Sequence, residues 1–317
     1  MSATQPVTAR PHLRDLPSHL AQVLAAGRFA VTAEAVPPRS GDGAAMQRQA
    51  RALVGYADAV NVTDNPRASA HMSAVAGAAF LARSGIEPLV QMTTRDRNRL
   101  ALSADLLSAW ALGARGLLVL SGDRLRAGDH PDAVAVSDLT VLELVGLARR
   151  LRDEGTLLSG VEVTEAPRFL IAVADAPLVE GYDPARLEQK LDAGADLVQT
   201  QIAYDLEALR SWAEVMRSRG VFERAAVLIG VTPLKSAKIA RFMDEKLYGV
   251  SVPRAMIDEL EAAGEDAPQV GVRHAVDLVG QIRSIEGIAG VHLMGVGAQD
   301  VVRSVVEGAG LFPRPGR

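Results

Sequence analysis

Eight short apolar runs punctuate the chain: Phe29–Ala35, Ala57–Thr63, Glu87–Thr93, Gly116–Ser121, Arg168–Ala174, Asp196–Gln201, Ala226–Val231 and Gly290–Gly295. Most are near-continuous Val, Leu, Ile and Ala rather than strict apolar–polar alternations, the composition of strands covered on both faces. Between them lie longer segments with helical patterning, at Ala44–Gly55, Ala68–Ser84, Asp96–Leu112, Asp138–Asp153, Asp183–Ala193, Asp205–Arg219, Ser236–Lys246 and Val270–Ile285. Several open on Asp or Ser, whose side chains accept hydrogen bonds from first-turn amides. Strand followed by helix, eight times over, predicts a parallel sheet closed into a (β/α)8 TIM barrel. A further segment, His12–Ala26, carries Leu13, Leu16, Leu20, Val23 and Leu24 on one face. It predicts an extra N-terminal helix that closes the bottom of the barrel.

At 317 residues the chain is expected to be a single catalytic domain, residues 1–317, with its core over about 28–310 and flexible tails at 1–11 and 312–317. Two connections exceed what a barrel needs, Gly122–Ser137 and Tyr248–Gln269. Connections of that length are often lids. Hydrophobic residues make up 48% of the chain and charged residues 23%, enough to bury a large core. The net charge is −4 with no dense Lys/Arg run, which argues against nucleic-acid binding. There is no cysteine, so disulfides, thiolate metal sites and cysteine nucleophiles are excluded. No apolar leader and no run approaching the ~18 residues of a membrane span is present, so a cytoplasmic location without membrane insertion is expected.

In this architecture the active site is built at the C-terminal ends of the strands. The polar residues there are Glu34, Asn61, Thr63, Asp64, Gln91 and Thr93 from the first half of the chain, and Asp123, Asp175, Gln199, Gln201 and His292 from the rest. No helix carries a metal-binding His pair, and neither a Gly-x-Ser-x-Gly elbow nor a Walker-type lysine loop occurs, so no metal site is expected. Glu34 ends an otherwise apolar run, where burial raises a carboxyl pKa and suits it to general-acid work; the other reading is an ion pair with a barrel-mouth arginine. Asp123 follows Gly122, a residue that permits close approach by a flat ligand, and a fixed anion there would stabilise a cationic intermediate. The alternative is a turn aspartate bonding its own backbone. Gly295-Val-Gly297 has the look of a barrel phosphate loop, a weak signal on its own.

Taken together these segments resemble the methylenetetrahydrofolate reductase family. Thr32-Ala-Glu34-Ala-Val-Pro37-Pro38 is similar to that family's Phe-Glu-Phe-Phe-Pro-Pro segment, Leu120-Ser-Gly122-Asp123 to its Arg-Gly-Asp loop, and Gln199-Thr-Gln201-Ile-Ala-Tyr204-Asp205 to its Thr-Gln-Phe-Phe-Phe-Asp segment. Val60-Asn-Val-Thr-Asp-Asn65 and Arg95-Asp-Arg-Asn-Arg99 extend the likeness toward the short bacterial form found in acetogens. The resemblance implies flavin-dependent reduction of 5,10-methylenetetrahydrofolate to 5-methyltetrahydrofolate, with Glu34, Asp123 and Gln201 as catalytic residues. It implies FAD, or FMN, held by Thr63, Gln91, Leu120, Ser121, Gly122, Asp123, Asp183 and Lys190, with Lys190 suited to a cofactor phosphate. The reductant would be NADH, NADPH or electrons delivered by a partner, because no separate dinucleotide-binding domain is present. A zinc-containing partner subunit and homo-oligomer formation are further expectations. Two other readings fit the same barrel: a flavin-free pterin- or folate-dependent methyltransferase, and a non-catalytic folate-binding subunit. The chain departs from the family pattern at Ala35-Val36, at Ile202 and Ala203, at Gln91 where a histidine is usual, and at Ala174-Asp-Ala-Pro177. The first two exchanges remove aromatic surface expected to stack on folate or nicotinamide.

Overall fold

Each of the eight apolar runs forms a strand in the computed structural model, which describes residues 9–295 and 299–314. The strands are β1 (Ala30–Ala35), β2 (Ala59–Val62), β3 (Pro88–Thr93), β4 (Gly116–Leu120), β5 (Leu170–Asp175), β6 (Leu197–Ile202), β7 (Ala226–Val231) and β8 (Gly290–Leu293). All neighbours run parallel, and β8 pairs back onto β1 with His292 beside Thr32, closing the TIM barrel. Helix α1 (His19–Ala25) precedes the barrel. The first four crossovers carry α2 (Gly43–Leu53), α3 (Ala74–Arg83), α4 (Arg99–Ala111) and α5 (Val141–Glu154). The later ones carry α6 (Pro184–Ala193), α7 (Leu206–Ser218), the short α8 (Val221–Arg224), α9 (Ala237–Lys246), α10 (Arg254–Ala263) and α11 (Ala267–Ile282), with α12 (Gln299–Gly308) after β8.

Successive strand side chains point to opposite faces, and the barrel wall therefore separates two cores. Outward positions such as Val31, Val60, Val90, Val119, Ile171, Val198, Ile229 and Val291 pack against the helices. Inward positions at the lower end, Ala30, Ala59, Leu89, Leu118, Leu170, Leu197 and Ala226, meet Leu13, Leu16, Leu20, Val23 and Leu24. The N-terminal segment is the expected plug, with a difference: Pro17 divides it into a 3-10 turn at Pro11–Leu13 and α1. Glu87, at the foot of β3, holds α1 in place, accepting from Ser18 Oγ (2.7 Å), His19 N (2.5 Å) and Leu20 N (3.3 Å).

Several boundaries differ from expectation for reasons visible in the side chains. Asp96 and Asp138 do not cap helices: Asp96 takes Arg95, Asp138 takes Arg99, and the caps are Asn98 and Thr140. The helix expected from Ala68 begins at Ala74, because Asn65, Arg67 and Ala68 adopt left-handed φ of 47°, 56° and 53°. The Tyr248–Gln269 connection is mostly helical rather than a lid loop: it carries α10, a 3-10 turn at Gly264–Asp266 and the start of α11. The ends are also less free than expected. Arg10 is 1% exposed and donates to Phe222 O, while Phe312 stacks on Tyr56 at 4.6 Å. Arg314 reaches Asp58 at 2.7 Å and Phe29 O at 2.7 Å. Among the described residues no helix is long and apolar enough to cross a membrane.

Candidate active site

Above the apolar inward layer, the inward-facing positions turn polar two residues at a time: Thr32 and Glu34 on β1, Gln91 and Thr93 on β3, Gln199 and Gln201 on β6. On β2, Asn61 is followed by Thr63 just past the strand end, and the same period turns all of these side chains into the barrel, one layer at the floor and one at the mouth. All but Thr32 line a cavity of about 850 Å³, within the range of small-molecule sites. Every residue singled out by the resemblance lies on its wall: Glu34, Thr63, Gln91, Leu120, Ser121, Gly122, Asp123, Asp183, Lys190 and Gln201. Val296 and Gly297 of the suggested phosphate loop lie outside the described residues.

Loss of water around Glu34 pushes its carboxyl up to about 7, opposed in part by a hydrogen bond from the Gln91 side chain. Among the described residues no Arg or Lys forms an ion pair with Glu34, so the ion-pair alternative falls away. A carboxyl near 7 can give and retake a proton at neutral pH.

Asp123 does not bond its own turn. Its Oδ2 accepts from Arg67 N of the β2 loop at 2.6 Å, and Arg95 Nη1 donates to its main-chain oxygen at 2.9 Å. Gly122 has φ +88°, and a Cβ there would meet Arg95 and Thr93 at 3.1–3.2 Å. The glycine is thus demanded by its own backbone and by the β3 loop packed beneath it, rather than by a ligand lying against it. Asp64 anchors that loop, accepting from Thr93 N (2.8 Å), Thr93 Oγ1 (2.9 Å) and Arg97 Nη2.

On the opposite wall Gln201 is held by two backbone bonds, donating to Tyr248 O (3.1 Å) and accepting from Ile202 N (2.9 Å). Lys190 is more occupied than a free phosphate ligand would be: Nζ donates to Ala174 O at 2.6 Å and lies 3.6 Å from Asp175. Asp183 caps α6 through Ala185 N. Arg186 is an open cation at this rim: its side chain is 79% exposed and comes no nearer to Asp183 than 4.0 Å. Tyr182 donates to Asp175 at 2.8 Å; burial and that neighbouring anion raise its pKa, so the phenol stays protonated.

Residues 19–310 match the family model for methylenetetrahydrofolate reductase. The chain belongs to the methylenetetrahydrofolate reductase family. It is 26% identical over 241 residues to 5,10-methylenetetrahydrofolate reductase of Pectobacterium carotovorum, covering 73% of this chain and 72% of that protein. It is 24% identical over 237 residues to methylenetetrahydrofolate reductase 1 of Schizosaccharomyces pombe, covering 72% of this chain and 36% of that protein. The match thus spans about a third of the length of the first eukaryotic relatives. Among solved structures, a Clostridium thermocellum protein that binds two copies of 5-methyl-5,6,7,8-tetrahydrofolic acid shares the fold at a TM-score of 0.64 and 12% identity, over 95% of this chain and 98% of that one.

Within this reductase-family chain the exchanged aromatic positions do not face the cavity. Ala35, Ile202 and Ala203 are buried in the outer core and none lines the site, so those exchanges alter packing under the helices rather than the wall. Sequence reading passed over Tyr182, Arg186 and Tyr248, all on the cavity wall. They sit in loops and on a helix, where no strand periodicity marks them. A signal for the deeper residues was present: polar pairs at i and i+2 in otherwise apolar strands.

Proposed function

We propose that this chain catalyses flavin-dependent reduction of 5,10-methylenetetrahydrofolate to 5-methyltetrahydrofolate. The observation that carries this reading is an unpaired, poorly solvated Glu34, with its carboxyl near 7, facing across one cavity the fixed anion Asp123 and the anchored amide Gln201.

The cavity residues fit a flavin. Thr63 Oγ1 is buried without a hydrogen-bond partner, a vacancy that a polar ring edge would fill. Gln91, Leu120, Ser121 and the backbone at Gly122 border the same side, and Arg186 is a cation at the rim with freedom to reach a phosphate. The flavin is FAD, with FMN able to meet the same ring-binding residues, and NADH, NADPH or a partner protein is the source of electrons. A bound reduced flavin supplies the hydride.

The chain's own residues do the rest. Glu34 gives a proton to the nitrogen that leaves the bridging methylene, opening the folate ring to an iminium ion. Asp123, held by Arg67 N and therefore unable to swing away, stabilises that cation. Gln201 has its own carbonyl and amide already engaged, so its position is preset and the pterin is oriented with little entropy left to lose.

The test is the visible spectrum and the reverse half-reaction of the purified protein. Absorbance at about 370 and 450 nm, bleached by 5-methyltetrahydrofolate, supports the reading. A colourless protein that binds 5-methyltetrahydrofolate without flavin would favour a methyltransferase-type barrel. A flavin-bound protein that takes up the folate yet never oxidises it, even with an artificial acceptor, would favour a binding subunit.

A further inference from the structure

Below Glu34, at the floor of the cavity, four buried polar residues form one network, in which Gln199 Nε2 also donates back to Asn61 Oδ1 at 3.3 Å. Asn61 Nδ2 donates to Gln199 Oε1 at 2.6 Å, and Gln199 Nε2 donates to Thr32 Oγ1 at 3.2 Å. Thr32 Oγ1 lies 3.0 Å from His292 Nδ1. With both amides oriented as they stand, Thr32 already accepts from Gln199, and the acceptor within reach of its single hydrogen is His292 Nδ1. Nδ1 is then the unprotonated nitrogen, and the ring proton sits on Nε2. Burial alone holds the imidazole down at about 4, so the ring is neutral through the physiological range. His292 is 4% exposed and lines the cavity, and no described protein atom accepts from Nε2. A ligand that displaces the solvent over Nε2 without accepting from it would leave that donor unmade, which is costly. Resting on the folate reading above, we propose that His292 is a further substrate-binding residue whose Nε2–H donates to the 4-oxo group of the pterin ring.

The placement selects the pterin over the flavin. His292 sits on β8, next to Glu34 on β1, whereas the Leu120–Asp123 wall is carried by β4, on the far side of the closed barrel. Glu34 protonates the nitrogen that leaves the bridge, N10, which one methylene joins to the pterin, so the folate lies against Glu34. The pterin's 2-amine, N3–H and N8–H are donors and its acceptors are N1 and the 4-oxo oxygen; the carbonyl oxygen, which projects beyond the ring and carries two lone pairs, is the better match for a fixed donor.

The experiment compares dissociation constants of 5-methyltetrahydrofolate and its 4-amino-4-deoxy counterpart, which presents a donor where the natural ring presents an acceptor. Wild type is expected to prefer the 4-oxo ligand by about tenfold or more, the size of one mispaired buried hydrogen bond. In His292→Phe that preference should collapse to within about threefold while flavin absorbance is retained. His292→Gln, whose amide can turn to present either a donor or an acceptor, should shrink the preference too, which keeps the test open if the Phe variant does not fold. A variant that weakens both ligands alike, leaving the ratio unchanged, would mean a purely structural role and overturn the inference. Loss of flavin with the ratio intact would place Nε2 against the cofactor instead and also overturn it. Wild type that binds neither ligand would refute the folate reading itself, an outcome distinct from the other two.

Discussion

Replacing Glu34 by Gln deletes one titrating proton while keeping the size of the side chain and its ability to meet Gln91. With a carboxyl near 7, about half of the wild-type enzyme holds the proton at pH 7, about a tenth at pH 8 and about a hundredth at pH 9. The folate half-reaction should therefore fall roughly tenfold per pH unit above 7 in wild type and be flat in Glu34→Gln, lower by about 10²–10⁴-fold at pH 7. Stability gives a second, independent readout. The carboxyl moves from 4.5 to about 7 on folding, so ionising it in the folded protein costs ~3 kcal/mol more than in the unfolded chain. The folded state binds the extra proton between those limits, so stability falls as pH rises through this window; the penalty is absent below about pH 4.5 and complete above about 7. Glu34→Gln should accordingly raise stability by up to ~3 kcal/mol at pH 8 and by almost nothing at pH 4. Stopped-flow of the folate half-reaction and urea unfolding at these pH values measure both effects. Turnover within about threefold of wild type, with no pH-dependent gain in stability, would remove Glu34 from proton transfer.

Asp123→Asn keeps an acceptor for Arg67 N but deletes the charge, so the folate half-reaction should slow by about 10²–10³-fold while the flavin becomes easier to reduce, as read by redox titration. A slower reaction with an unchanged potential would refute the placement of Asp123 between cofactor and substrate. Gly122→Ala must hold φ near +88° and crowd Arg95 and Thr93; it should cost about 1–3 kcal/mol in thermal unfolding and displace Asp123, lowering the folate rate as well. Arg314→Ala removes the buried partner of Asp58, whose side chain is 0% exposed, and should cost about 3–5 kcal/mol in urea unfolding with flavin affinity unchanged, because it acts at the far end of the barrel. Burial opposes ionisation of Asp58, but His19, Arg314 and Val31 N together hold its carboxyl below the ordinary range. That stabilisation is present above about pH 4 and lost as pH falls through the depressed value, so the variant should unfold at a higher pH than wild type during acid titration.

Which parts of the molecule could be read from sequence follows from where local pattern decides the outcome. All eight strands were legible because a strand covered on both faces is mostly apolar, with its polar residues confined to inward positions toward the mouth. The helix starts were less legible. Asp96 and Asp138 are good caps by residue type, but each has an arginine within reach, and the ion pair took the carboxylate. The left-handed turn at Asn65–Ala68 was invisible because Arg67 and Ala68 have no local preference for positive φ; that conformation is imposed by contacts with the β4 loop, including Arg67 N to Asp123. The C-terminal residues read as loose from their Pro, Gly and Arg content, yet Phe312 and Arg314 find partners at Tyr56 and Asp58, about 250 residues away in sequence. The likeness that singled out Glu34, Asp123 and Gln201 placed all three on one cavity, but composition carried no sign that Lys190 would be occupied by Ala174 O and Asp175.

The same alternation that separates the two cores also sets the chemistry of the site. Along β6 the inward positions read Leu197, Gln199, Gln201, and along β1 Ala30, Thr32, Glu34, so each strand passes from packed apolar floor to hydrogen-bonded layer to reactive mouth in steps of two residues. The lower layer is sealed by α1, which Glu87 pins to the foot of β3. Water therefore cannot reach the polar layer from beneath, and the Asn61–Gln199–Thr32–His292 chain satisfies that layer internally instead. A partly buried carboxyl above such a floor, with no cation paired to it among the described residues, has little to stabilise its charge. Its tendency to stay protonated is thus a property of the sealed barrel as much as of Glu34, and the acid that the proposed reaction needs arises from how the bottom of the fold is closed.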